Sequence, residues 1–274
     1  MNRLLILIFV FNALFAKAQF NQKYVFGQQC ASGSSIVVEN DSINHVTGTV
    51  CFEYNSGQIG LRAFLSTFDL QGSLLYFDYV GDTLQGYRGE KILLDSARNK
   101  YIIGTYVADS LGQSINSRGV FVQKRNISNT VIWTSEYFDS LPYASYFIWD
   151  ATLLETGNIV ITGAYNLDGD SIAPGVPDAD VLFMVFDTTG ALLTLKRIGD
   201  NANQDEGWSI KCDGHNRIII GAERLRPFFD NEAWVLLVDY QGNIIDQYIS
   251  ASNRIQGARD LIRTGIREGA TSEL

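Results

Sequence analysis

Between residues 207 and 249 the chain runs in short stretches of alternating or β-branched apolar residues, separated by turn residues. Trp208–Cys212 alternates, Asp213-Gly-His-Asn216 supplies a turn, and Arg217-Ile-Ile-Ile220 is β-branched and ends at Gly221. After a polar loop, Ala233–Val238 and Asn243–Ile249 flank Asp239-Tyr-Gln-Gly242. There the aspartate caps the turn, and the glycine takes the positive φ that a short hairpin loop needs. The pattern predicts two hairpins joined by a variable loop, which together make one small four-stranded antiparallel sheet.

The same pattern recurs upstream. Aligning the glycines of the second strands, Val46-Thr-Gly48, Ile102-Ile-Gly104, Ile161-Thr-Gly163 and Ile219-Ile-Gly221, gives spacings of 56, 59 and 58. The second hairpin recurs around Asp69-Leu-Gln-Gly72, Asp187-Thr-Thr-Gly190 and Asp239-Tyr-Gln-Gly242. The copy at Val120–Trp133 keeps the strands but reads as having a longer, altered turn. A fixed period with two hairpins per copy and no amphipathic helix is the mark of stacked sheets, because a lone four-stranded sheet covers neither of its faces. The expected fold is all-β and β-propeller-like, with four-stranded blades at about 33–88, 89–147, 148–206 and 207–256 and a partial fifth at 257–274. A β-sandwich is the second reading, but it has no reason to keep a period with matching glycines.

Ala258–Thr264 matches the first strand of a further copy, and the stretch to Leu274 lacks the β-branched run of a second strand. The chain therefore reads as stopping inside a blade. Truncation is the reading preferred over completion of that sheet by an N-terminal strand at Lys23–Phe26.

The turn, β-branched triplet and glycine of Asp213–Gly221, followed by the W-V-x-x-x-D-x-x-G-x-I hairpin of Trp234–Ile245, resemble the exported propeller-repeat proteins of Bacteroidetes-type bacteria. Weaker copies stand at Glu155–Gly163 and Val181–Leu193. The resemblance implies an exported propeller. Members of the group usually carry more blades, and often a C-terminal sorting domain, and neither is read in this chain.

The start of the chain agrees with export. Met1–Ala18 has Arg3, an apolar run from Leu4 to Phe15 and Ala16-Lys-Ala18, the features of a secretory signal peptide cut after Ala18. The apolar run is too short to span a bilayer comfortably, so no membrane span is expected. The repeat domain is then 19–274, read as one domain. Losing Arg3 and Lys17 from the 21 basic residues leaves 19 against 30 acidic ones, a formal charge of −11. Such a surface repels phosphate backbones, which argues against nucleic acid and anionic membranes as partners. In an oxidising compartment Cys30 and Cys51 can pair and leave Cys212 as a small strand hydrophobe, although three cysteines set no disulfide framework by themselves.

Candidate chemistry is sparse. His45 and His215 are the two histidines, too few for a histidine-rich metal site, and no nucleophile elbow, P-loop or C-x-x-C motif occurs. Glu90, Asp150, Asp205 and Glu206 recur near first strands, where paired carboxylates would suit glycosidic hydrolysis; solvated turn acids are the simpler reading. Asn166, Asp168 and Asp170, in a loop with Gly169, place oxygen ligands at alternate positions and suit Ca²⁺, although the distal bidentate glutamate is lacking. No other cofactor is expected. The aromatic cluster Tyr137, Phe138, Tyr143, Tyr146, Phe147 and Trp149 either packs between blades or presents rings to a ligand. Tyr143 and Tyr146, beside Pro142 and Ser145, are the expected exposed members, with Trp149 as a third binding candidate. The expected function is a secreted, non-enzymatic binding or scaffold module at or outside the cell surface, with a protein or carbohydrate ligand. The alternative is a polysaccharide-acting glycosidase or lyase that uses carboxylates.

Overall fold

The structure is a computed structural model that describes residues 30–53, 59–81, 86–107, 118–139, 144–173, 176–199, 204–213, 217–226 and 230–250. The expected signal peptide at 1–18, the Lys23–Phe26 segment, His215 and the expected partial copy at 257–274 lie outside the described residues. Among the described residues every regular element is a β-strand. The first unit holds β1 (Cys30–Glu39), β2 (Ile43–Glu53), β3 (Ile59–Asp69) and β4 (Leu74–Val80). The second holds β5 (Gly86–Leu94), β6 (Lys100–Val107), β7 (Arg118–Arg125) and β8 (Val131–Tyr137). The third holds β9 (Ala144–Leu153), β10 (Ile159–Ala173), β11 (Val176–Phe186) and β12 (Leu192–Ile198). The fourth holds β13 (Gln204–Cys212), β14 (Ile218–Arg226), β15 (Asp230–Val238) and β16 (Ile244–Ile249).

Within each unit successive strands pair antiparallel. The last three units join into one 12-stranded sheet through two parallel pairs, Arg118↔Ser145 and Ala179↔Gln204; the first unit is a separate 4-stranded sheet, and neither sheet closes. The units begin at Cys30, Gly86, Ala144 and Gln204, three or four residues ahead of the divisions drawn at 33, 89, 148 and 207. The reason is that each first strand runs back past the residue facing the second-strand glycine, to pair with the far half of the second strand.

The apolar runs are explained by packing on both faces. Phe183 and Val185 of β11 pack toward the fourth unit with Ile220, Leu236 and Val238, while Leu182, Met184 and Phe186 pack toward the second with Ile103 and Val122. In β6, Ile102 joins Leu65 and Tyr87 at the junction of the first two units, and its neighbours Tyr101 and Ile103 face the third. Period-two alternation with both faces buried reads in sequence as a continuous apolar run.

The D-x-x-G turns form as the sequence predicts. Asp187 is typical: its backbone N–H donates to Ala191 O at 2.9 Å, its carboxylate accepts from Ala191 N at 2.9 Å, and Gly190 has φ +90°. The second copy departs from expectation, because its turn is no longer than the others. Asn126-Ile-Ser-Asn129 makes the same pair of backbone bonds, with Asn126 capping Thr130 N at 2.9 Å and Asn129 taking φ +65°. Asparagine substitutes at both places because its amide caps like a carboxylate and it tolerates the left-handed region.

The second-strand glycines do not close their strands; each lies inside one. Their cause is a bulge on the neighbouring first strand. Register slips between Gly33 and Ser35, Gly89 and Lys91, Ile148 and Asp150, and Gly207 and Ser209 leave Ser34, Glu90, Trp149 and Trp208 as the extra residues. A Cβ at Gly48, Gly104 or Gly163 would run into the carbonyl oxygen of Ser32, Arg88 or Phe147, two residues ahead of each bulge. In the fourth unit the register puts Ala222 opposite Gly207 in this place, so the structural repeat runs 48, 104, 163, 222, and Gly221 is one residue off it.

Cys30 and Cys51 are register partners across β1 and β2 and form a disulfide with Cα atoms 5.0 Å apart, while half-buried Cys212 is free. Where the first two units meet, a buried polar group fills the turn ends. His45 Nε2 is 2.7 Å from Glu39 Oε2, His45 Nδ1 is 2.9 Å from Thr67 Oγ1, and Arg98 pairs with Glu39 Oε1. Burial holds the His45 pKa below its ordinary 6.5 against the pull of Glu39. For Glu39, burial acts upward but is outweighed by the bonds from His45 and Arg98, which hold the carboxyl below its ordinary 4.5.

Two predictions follow from these contacts. Gly163→Ala should lower stability by about 1–3 kcal/mol in urea unfolding, since a backbone carbonyl cannot move aside as a side chain can. Both shifts at the Glu39–His45 pair place the loss of stability on the acid side. A histidine with a depressed folded pKa gives up stability as pH falls below about 6.5, and a carboxylate with a depressed pKa gives it up below about 4.5. The urea midpoint should therefore drop in two steps on acidification, and His45→Gln should remove the upper one.

Candidate functional site

The four bulges put one extra side chain per unit at an equivalent place on the first strand. Ser34 is exposed, Glu90 and Trp208 are half-buried, and Trp149 is 39% exposed. Because β9 packs beside β13, the last two rings meet: Trp149 stacks on Trp208 with centroids 4.7 Å apart and planes 20° off parallel. Phe147, on the same strand, continues the stack, 6.4 Å from Trp149 at 14°. The Arg118 guanidinium lies 4.7 Å over Phe147. Four flat groups thus follow one another, Arg118, Phe147, Trp149 and Trp208, with a large indole partly open to solvent. Offset stacking of this kind adds about 0.5–1.5 kcal/mol per pair beyond area burial and holds the rings in fixed orientation.

Glu90 stands at the next bulge, on β5, in the field of Arg88 and Arg118. Burial pushes its carboxyl above the usual range, and the two guanidiniums only partly offset this. It is therefore a desolvated acid beside an aromatic stack.

In the first three units the residue after the bulge ties its unit to the next. Ser35 Oγ accepts from Ile92 N at 3.3 Å, Lys91 Nζ is 2.5 Å from Asp150 Oδ1, and Asp150 Oδ2 accepts from Ile210 N at 3.0 Å. Asp150 Oδ1 also accepts from Ala151 N at 2.9 Å, so the buried carboxylate is fully engaged across three first strands. Asp205 is engaged in the same sense: fully buried, it accepts from Arg224 Nε at 2.9 Å, and Arg224 in turn lies 4.1 Å over Trp234. Glu206 accepts from Gln204 Nε2 at 2.8 Å.

The structure sorts the remaining sequence candidates. Trp149 is exposed as a binding residue must be. Tyr146 is not: it is 0% exposed, edge-on to Tyr165 at 4.9 Å and to Tyr137 at 5.7 Å, with its hydroxyl 3.4 Å from Asp139. Alternation along β9 turns Tyr146 and Ile148 into the core between the second and third units, where burial drives the phenol pKa far up. Tyr143 lies outside the described residues. Asn166, Asp168 and Asp170 belong to strand β10 rather than to a loop, since β10 extends to Ala173 before turning into β11. Asn166 pairs in register with Ala179 and Ser145, and the side chains of Asp168 and Asp170 lie outside the described set. Among the described residues no group of three or more His, Cys, Asp or Glu side chains is placed to hold a metal ion.

No family model matches the chain, and no curated protein does. It is similar to a solved structure, a protein of unknown function from Bacteroides caccae, at 9% identity and a TM-score of 0.43, over 84% of this chain and 86% of that one. A likeness of that degree carries no argument about fold or function.

Trp208, Arg88 and Arg118 are the members of the site that the sequence reading missed. The glycine alignment is one residue out in the fourth copy, so Trp149 and Trp208 do not fall in the same column although their bulges are equivalent. The Asp150 tie gives a direct test. Asp150→Ala should destabilise the protein by about 2–3 kcal/mol in urea unfolding, because the half-buried Lys91 and a buried backbone N–H lose their acceptor. Asp150→Asn should cost less, since its amide oxygen still accepts from Ile210 N.

Proposed function

We propose that this chain is an exported β-propeller whose four units are its blades, and that it acts as a non-enzymatic binding module at or outside the cell surface with carbohydrate as the ligand. The observation that carries the reading is the Trp149–Trp208 stack, large indoles held parallel at 4.7 Å with Trp149 open to solvent. The C–H face of a pyranose ring is apolar and flat, and it packs across the solvent-facing edges of these stacked rings while the hydroxyls remain in water. Fixing the rings in advance lowers the ordering cost of binding. The blade reading is supported by the repeated four-stranded meander and by the face-to-face cores between successive units. Export is supported by the sequence of residues 1–18 and by the Cys30–Cys51 disulfide, which belongs to an oxidising compartment. Among the described residues no helix is long and apolar enough to cross a membrane.

A polysaccharide-acting enzyme is the second reading, and Glu90 is the observation that favours it, since a carboxyl held toward its protonated form is suited to donate a proton to a leaving oxygen. Hydrolysis with a pair of carboxylates needs a second acid that is not already engaged. Asp150 and Asp205 are tied to Lys91, Ile210 N and Arg224, which leaves binding the better supported reading.

The test is titration of the purified protein with soluble neutral oligosaccharides of four to six residues, followed by intrinsic tryptophan fluorescence and calorimetry. We expect saturable binding that Trp149→Ala weakens on the order of 10- to 100-fold, as loss of a central aromatic anchor does. Absence of binding across neutral and acidic oligosaccharides alike would reject the reading, and release of reducing ends or unsaturated products would favour the enzyme.

A further inference from the structure

Some described cations bond to neutral oxygens, as Lys100 and Lys196 do, and others pair with carboxylates. Arg98, Arg125, Arg217, Arg224 and Lys91 each lie within 4.0 Å of a carboxylate. Arg88 and Arg118 do not, and the acid in their field, Glu90, is shared between both and lies outside ion-pair distance among the described residues. Burial first, and then the charge of Arg88, holds the Arg118 pKa below its ordinary value. Arg88 and Arg118 lie on one face of the second unit, since Arg88 faces Thr105 and Arg118 faces Val107, two residues further along β6. They are also placed at one end of the aromatic series, because Arg118 covers Phe147, Phe147 stacks with Trp149, and Trp149 stacks with Trp208.

Resting on the carbohydrate reading above, we infer that the ligand is an acidic oligosaccharide of the uronate class, with a sugar ring against the solvent-facing edge of the Trp149–Trp208 stack and a ring carboxylate on the Arg88–Arg118 pair. The chemistry is complementary group by group. A guanidinium offers a planar fork of donors that matches a carboxylate, and it keeps its charge when desolvated. A neutral sugar brings no anion to the pair, so it gains the ring contacts alone. A peptide carboxylate satisfies the arginines but has no flat C–H face for the indoles. The burial that raises the Glu90 pKa works in the same direction, because a partly desolvated site strengthens charge recognition.

The experiment compares oligogalacturonate with a neutral oligosaccharide of equal length, by calorimetry at low and high salt, on the whole protein and three variants. The expected result is at least about 10-fold tighter binding of the uronate at low salt, with the preference shrinking as salt rises. Arg118→Gln and Arg88→Gln should each remove most of the preference, whereas Glu90→Gln should strengthen uronate binding severalfold. Arg88 is exposed, so its variant decides the matter if loss of the Arg118–Phe147 contact impairs folding. Equal binding of both sugars, unmoved by the arginine variants, would overturn the uronate inference while leaving the tryptophan platform standing. Binding of neither sugar would overturn both.

Discussion

In the first three units the extra residue of the first strand brings the carbonyl two residues upstream hard against the neighbouring second strand, and much of the structure answers to that contact. A side chain at the facing position cannot be accommodated at Gly48, Gly104 or Gly163. The residue after the bulge is redirected toward the next unit, where Ser35, Lys91 and Asp150 make the ties between first strands. The bulged residue itself leaves the hydrogen-bonded ladder, so its side chain is released from the alternation that governs the rest of the strand. Repetition of one local irregularity therefore sets the period, joins the units and clears a place for function.

The repeat was legible because both of its signals have a strict stereochemical cause. Positive φ at Gly72, Gly190 and Gly242 is required by the turn, and the aspartate three residues earlier caps it, so the D-x-x-G pattern survives wherever the hairpin does. Where asparagine meets both requirements, at Asn126 and Asn129, the letters change and the same turn reads as a different one. Register was harder to read. Gly221 looks like the counterpart of Gly163, yet hydrogen bonding gives that place to Ala222, and composition cannot reveal a one-residue slip.

The site was partly legible for the same reason. An aromatic cluster at 137–149 is visible in the sequence, but which rings are buried depends on where the bulge interrupts the alternation of β9. Tyr146 lies before the interruption and falls on the core face; Trp149 is the interruption, and it is exposed. Proximity of a proline and a serine, the cue that marked Tyr143 and Tyr146, says nothing about this. Trp208 lies 59 residues further along and meets Trp149 only because the units stack. Arg88 and Arg118 join Glu90 from different strands of one unit, a grouping that spacing alone does not announce.

The division of labour among the acids follows from burial. Asp150 and Asp205 are almost wholly removed from water, and a carboxylate there is tolerated because cations and backbone N–H groups surround it. Removing either would disturb a junction between strands, so these positions serve the scaffold. The bulged position is under no such demand. Its occupants, Ser34, Glu90, Trp149 and Trp208, differ in size, charge and polarity while the backbone around them keeps one geometry. A place where the scaffold tolerates serine, glutamate or tryptophan equally is where a repeat can acquire a surface of its own. In this chain that freedom puts two indoles against one another and a shielded acid beside a pair of arginines, a combination that packing alone does not require.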